Sequence, residues 1–217
     1  MVRALLDGTK TQTRRVVKGL TDKMWIEATA AGGFAVCYDG EPSCGTGVWE
    51  VPEHSHPIAC PYGQPGDRLW VRESLGYDPE WGHKWADGKY LCEVFEDAYS
   101  EDNKMPDRGI PSIHVPRRYS RIDLEITGVR VERLMDCSNV DAIDEGVLTM
   151  GAEWLATSFP EHHAAVADWK NRDEGTRPPL GPSPVQRYAR LWEQINGAGS
   201  WDLNPWVWVV EFRMVRT

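Results

Sequence analysis

The sequence predicts an α+β fold, and three observations carry that prediction. Residues 66–74, 121–133 and 206–215 alternate in side-chain character at period two, the spacing of β-strands. Residues 184–196 instead set Val185, Tyr188, Trp192 and Ile195 on one helical stripe. At 217 residues the chain is long enough for one sizeable domain, or for a small one with long insertions.

Taken in order, Val2, Ala4, Leu5 and Leu6 suit one apolar helical turn, which Gly8 is placed to end. The stretch Gly8-Thr9-Lys10-Thr11-Gln12-Thr13-Arg14-Arg15 then gathers hydroxyls, an amine and two guanidiniums with no acid among them. Val16 and Val17 suit the start of a strand, so this cluster falls at a helix-to-strand corner where side chains can converge. A solvated basic loop fits the same residues equally well. Residues 24–29 and 34–38 flank Ala30-Ala31-Gly32-Gly33 as a hairpin, and a Gly-, Pro- and Ser-rich excursion runs on through Pro57. Cys44, His54, His56 and Cys60 are zinc-binding residue types, but their spacing matches no common zinc module, so no metal is assigned to them.

Pro65-Gly66-Asp67 turns into a strand in which Leu69 and Val71 alternate with Trp70 and Arg72. Arg72 and Glu73, at its end, either face a cleft or form an exposed ion pair. Within 77–110, residues 89–95 suit one strand. Prolines hold 111–116 extended, with His114 as a group that can titrate near neutrality or be structural. The strand over 121–133 kinks or turns at Gly128. Ser138 caps a helix over 139–145 that Gly146 closes, which puts Glu145 in the last turn. There the helix dipole disfavours a carboxylate and suits a proton-transfer group. Residues 161–171 read as helix and 177–182 as linker. Ser183, Pro184 and Gln186 form the N-terminal capping pattern of the best helix, which Asn196-Gly197 ends, and its apolar stripe is assigned to the core. Trp206, Trp208, Val210, Phe212 and Met214 line one face of the last strand.

Composition narrows the function classes. No apolar run approaches the roughly 20 residues needed to cross a bilayer, and no signal-peptide pattern opens the chain, so it reads as soluble, cytoplasmic and without a membrane partner. Five cysteines without a Cys-x-x-Cys argue against a disulfide framework. A formal net charge of −9 speaks against coating nucleic acid by bulk electrostatics, so any such contact must be local. Residues 10–18, and Arg117, Arg118 and Arg121 around Tyr119, are the two basic places that can supply it. Walker, dinucleotide, His-Glu-x-x-His and Gly-x-Ser-x-Gly patterns are all missing.

The pattern Gly8-x-Lys10-x-x-x-x-Arg15 resembles the signature of the ASCH family, small β-barrel proteins related to PUA domains. Similar in order and spacing are Gly66-Asp67-Arg68-Leu69-Trp70-Val71-Arg72-Glu73, Asp141-Ala142-Ile143-Asp144-Glu145-Gly146 and Trp206-Val207-Trp208-Val209-Val210-Glu211-Phe212. Runs like Pro111-Ser112-Ile113-His114-Val115-Pro116-Arg117 and Asn204-Pro205-Trp206 are familiar from long, phage- or prophage-type members. The resemblance implies a single 1–217 domain, a PUA-like mixed β-barrel flanked by helices, with large insertions at about 20–60, 77–110 and 150–182. It also implies a first strand upstream of the motif helix, which here begins almost at Met1; without that strand the sheet has an open edge.

Family members include amidohydrolases of N4-acetylcytidine, ribonucleases and RNA-binding modules. The resemblance to the amidohydrolases lays the catalytic roles on Lys10, Thr13 and Glu145, with no metal or cofactor. Arg14, Arg15, Arg72, Glu73, His114, Arg117 and Trp206 are the expected contacts to an RNA or nucleoside ligand. Chemically, Thr13 needs a neighbour to take its proton, and Lys10 can do so if crowding by Arg14 and Arg15 lowers its pKa. Glu145 can pass the proton to the leaving nitrogen while Arg15 or backbone amides hold the oxyanion. Thr13 acting only to orient water, a non-catalytic RNA- or partner-binding module, and a ribonuclease with Lys10 as base or phosphate clamp remain alternatives.

Overall fold

The computed structural model describes residues 2–20, 24–29, 33–38, 56–95, 105–170 and 178–215. Helix α1 (Val2–Leu6) buries Ala4 and Leu5 and stops at Gly8, whose φ of 69° is the left-handed geometry that ends helices. The Lys10 and Thr9 amides both return to the Ala4 carbonyl at 2.9 Å, closing the corner before strand β1 (Gln12–Val16). Strands β2 (Met24–Ala28), β3 (Phe34–Tyr38) and β4 (His56–Ile58) form an antiparallel sheet of their own. The hairpin expected over 24–38 is therefore present in its two strands, while its turn lies outside the described residues.

Strand β5 (Arg68–Trp70) is shorter than the 66–74 stretch implies. Past Trp70 the chain leaves the sheet, and β6 (Gly76–Asp78) and β7 (Gly82–Lys84) make a small hairpin. The strand expected at 89–95 is a 3₁₀ turn at Leu91–Glu93, because the Glu93 carboxylate folds back to accept from the Tyr90 amide at 2.7 Å. Residues 111–116 also depart from the extended expectation. Pro111 and Pro116 are themselves extended, but each opens a 3₁₀ turn, at Ser112–His114 and Arg117–Tyr119. Leu75, Trp85, Leu91, Ile110, Val115 and Tyr119 give this segment its own small core.

Strand β8 (Asp123–Arg133) is the longest, with a bulge between Ile126 and Gly128 where the kink was expected. Helices α2 (Asn139–Asp144), α3 (Ala152–Ser158), α4 (Pro160–Lys170) and α5 (Pro184–Asn196) follow, of which α3 was not foreseen. Ser138 and Ser183 cap α2 and α5, each accepting from the backbone amide three residues on. Strand β9 (Trp206–Val215) ends the described chain between β1 and β8, giving a curled antiparallel half-barrel in the order β1-β9-β8-β5.

Because β9 is central, both of its faces are buried. Val207 and Val209 pack with Leu134, Ala142, Val147 and the α5 residues Tyr188, Leu191 and Trp192. Trp208 faces Val17, Ile26 and Val36, which ties the second sheet on, and Phe212 joins Leu5, Ile122 and Leu124. Each such side chain contributes on the order of 1.5–3 kcal/mol when fully buried. None of the described helices is long and apolar enough to cross a membrane.

Candidate functional site

The corner after α1 delivers Lys10 beneath the end of α2. The Thr11 amide donates to the Asp144 carbonyl at 2.8 Å, pinning loop to helix. Gly146, with φ 85°, lets the chain leave α2 against Lys10; a Cβ there would stand 3.0 Å from Ala4 Cβ and 3.2 Å from Lys10 Cβ. Glu145 is the residue just before it, and only 2 % exposed.

Lys10 Nζ directs its three hydrogens at Glu145 Oε2 (2.7 Å), the Gln12 carbonyl (2.8 Å) and the Glu145 carbonyl (3.0 Å). The other carboxyl oxygen of Glu145 accepts from Arg14 Nη1 and from the Tyr188 hydroxyl, both at 3.3 Å. Arg14 is 1 % exposed and also donates to Glu132 Oε1 from Nη2 at 2.6 Å and Nε at 3.0 Å. Asp141 approaches the same guanidinium at 3.3 Å and accepts from the Gln12 amide. Arg130 closes the network by pairing with Glu132, Asp141 and Glu211. Buried charges are tolerated here because each is matched by several donors or acceptors.

These surroundings set the titration behaviour. Burial pulls the Lys10 pKa below its ordinary value; Glu145 opposes that pull, and Arg15 and Arg14 add to it. Crowding by the arginines is thus present but secondary to desolvation. Burial works against ionised Asp141, yet the Ser138 hydroxyl and amide, Gln12 and Arg14 outweigh it and hold Asp141 well below the usual carboxylate range. Burial raises the Tyr188 phenol, and Glu145 beside it raises it further. Burial also lifts the Cys137 thiol to about 12, so this sulfur is a packing group in the core.

Lys10, Thr13, Arg14, Arg15 and Glu145 all line one cavity of about 570 Å³, within the range typical of small-ligand sites. Its remaining wall is largely apolar and aromatic, from Val2 and Leu5 through Trp70, Tyr188, Trp192 and Phe212. Thr13 Oγ1 accepts from Arg15 Nη1 at 3.0 Å, whereas the Lys10 amine points to Glu145 rather than to Thr13. Arg72 and Arg117 lie over the Trp70 ring at 4.6 and 5.5 Å, and Arg117 is also paired with Asp123 at 2.6 Å.

The other expected contacts lie away from this lining. Glu73 is 8 % exposed and forms a two-bond pair with Arg121 at 2.8 and 2.9 Å, neither a cleft residue nor an exposed ion pair. His114 is exposed on its 3₁₀ turn. Trp206 packs beside Trp208 under the Arg133 guanidinium, 4.5 Å away. Among the described residues no group of three or more His, Cys, Asp or Glu side chains could hold a metal ion; Cys44 and His54 lie outside them.

Gln12, Asp141, Glu132, Tyr188 and Trp192 were not singled out for the site by the sequence. Gln12 and Asp141 sit inside the quoted motifs, which is the signal that could have found them. Tyr188 and Trp192 read as core stripe, and they do join the core while also facing the cavity. Comparison with protein-family models, with curated proteins and with solved structures finds no match.

Proposed function

We propose that this chain is an ASCH-type protein with a PUA-like barrel that binds RNA or a modified nucleoside and hydrolyses an N-acyl group such as that of N4-acetylcytidine. What supports the reading most is that Lys10, Thr13 and Glu145 line the same cavity, although 135 positions separate Lys10 from Glu145. The attacking oxygen, from Thr13 or from a water that Thr13 orients, adds to the acyl carbon and gives its proton to the Lys10–Glu145 pair. The carbon–nitrogen bond then breaks as the pair returns a proton to the exocyclic nitrogen, with Arg15 at the developing oxyanion. If Thr13 attacks directly, water hydrolyses the resulting ester and restores the hydroxyl.

Incubation with N4-acetylcytidine and, separately, with labelled single-stranded RNA tests the proposal. The expected result is acetate release that Lys10→Ala abolishes and that Thr13→Val, close to Thr in shape, reduces by about 100-fold or more. Full activity in Thr13→Val would remove threonine from the mechanism. Neither turnover nor binding of either ligand would end the reading. A binding-only module is the second reading, favoured by the exposed Arg72 guanidinium over Trp70 at the cavity wall. In that case RNA binds without turnover.

A further inference from the structure

A second cavity, of about 540 Å³, opens where the two larger sheets meet. Val16 on β1 and Trp208 on β9 line one side of it, and Met24, Val36 and Ile58 on β2, β3 and β4 line the other. Two observations set it against the cavity that holds Lys10 and Glu145. Val16 lines both spaces and is exposed between them. Arg15, which lines the first, stands directly opposite Trp208, which lines the second, in the β1–β9 register. Side chains paired in this way leave the sheet on the same face, about 5 Å apart.

The border carries unmatched positive charge in a chain whose formal net charge is −9. Arg15 and Lys18 are both exposed and form no ion pair among the described residues. Only Nη1 of Arg15 has partners there, Thr13 Oγ1 and the Arg14 carbonyl, each at 3.0 Å. Lys18 lines the second cavity, where the half-buried Tyr62 adds an aromatic ring to largely apolar walls.

We propose that the second cavity is a subsite for the neighbouring nucleotide of a single-stranded RNA, with the linking phosphate crossing at Arg15. This rests on the reading of the first cavity as a nucleoside site, and it names the ligand as an RNA segment rather than a free nucleoside. The continuity of the two spaces and the cations at their border favour that occupant. A polynucleotide repeats a flat base joined to the next by an anion, and unstacked bases settle on aromatic side chains whatever their sequence. Tyr62 supplies that face, and the Lys18 ammonium donates to acceptors on the edge of the base.

The test compares N4-acetylcytidine, its 5′- and 3′-monophosphates, and the two dinucleotides that extend it by one uridine on either side. KM is read, or Kd where there is no turnover. One dinucleotide is expected to bind about tenfold tighter than the matching monophosphate. Ala59→Trp, which plugs the second cavity from an exposed lining position, should erase that gain and leave the nucleoside and monophosphate values unchanged. Lys18→Ala should lower the gain about threefold. Dinucleotides no tighter than their monophosphates, or a gain that survives either variant, would overturn the inference while the proposed function stands. If none of the five ligands binds, both fall.

Discussion

Lys10 carries an ammonium into a site that leaves it 7 % exposed, and all of its donors are satisfied there. Removing it strands the Glu145 carboxyl with only Arg14 and Tyr188. Lys10→Met is therefore expected to cost about 3–5 kcal/mol in urea unfolding, and adding Glu145→Gln to it should recover part of the loss. The pH dependence has a definite sign. The folded pKa lies below the ordinary 10.5, so between the two values the unfolded chain binds more protons and this group's contribution to stability rises with pH. The difference in stability between native and Lys10→Met protein should widen over that alkaline window; a flat difference would show that Lys10 titrates as it does in the unfolded chain. Asn204 sits in the loop before β9, where it combines a strained backbone with a side-chain bond. Its φ of 43° is unusual for a side chain other than glycine, while its Oδ1 accepts from the Met135 amide at 2.9 Å. Asn204→Ala should lose both the backbone tolerance and the bond, about 2 kcal/mol, and Asn204→Gly only about half as much.

Among the elements, α2 matters most because its C-terminal exit sets where Glu145 meets Lys10. Gly146→Ala should drive α2 away from the corner, since both its φ of 85° and the 3.0 Å approach to Ala4 oppose a side chain. A stability loss of at least about 1–2 kcal/mol is expected, with weakened ligand affinity measured alongside. Legibility followed how locally each element is determined. Ser138, Gly146, Ser183, Pro184 and Gly8 mark helix ends through bonds within a few residues, and those ends stand where the sequence put them. The period-two runs at 121–133 and 206–215 were equally plain, and they form β8 and β9. What local pattern could not show was pairing across the chain. Glu73 finds Arg121 just past the ends of the paired strands β5 and β8, and Arg14 on β1 finds Glu132 on β8 across the intervening β9. The 89–95 stretch had strand composition, yet the Glu93 carboxylate on the Tyr90 amide and the backbone bonds from Glu93, Val94 and Phe95 back to Tyr90 and Leu91 turn it. Helix α5 shows the limit from the other side, because Trp192 and Tyr188 belong to a core stripe and a cavity wall at once.

At the scale of the whole molecule, charge decides how a polyanion can bind. The chain carries a formal −9, so its overall field repels RNA and any attraction must come from a few guanidiniums at the cavity. Lys10 and Arg14 are already matched by Glu132, Asp141 and Glu145, and Arg117 by Asp123, so they offer little to phosphate. Arg15 and Arg72 are exposed at or beside the lining and make no ion pair among the described residues, which makes them the groups able to displace counterions. Two phosphate contacts at about −0.7 each predict a shallow dependence of log affinity on log salt for single-stranded RNA, with a slope near −1.4. Arg72→Ala should flatten that slope by about 0.7, while Glu73→Gln, whose target pairs with Arg121 away from the cavity, should leave it unchanged. A slope several times steeper would mean that RNA follows a different basic surface. A slope near zero alongside tight nucleoside binding would mean that the ligand is recognised by its ring and acyl group alone, the outcome that fits a cavity whose walls are largely apolar and whose buried charges are already paired.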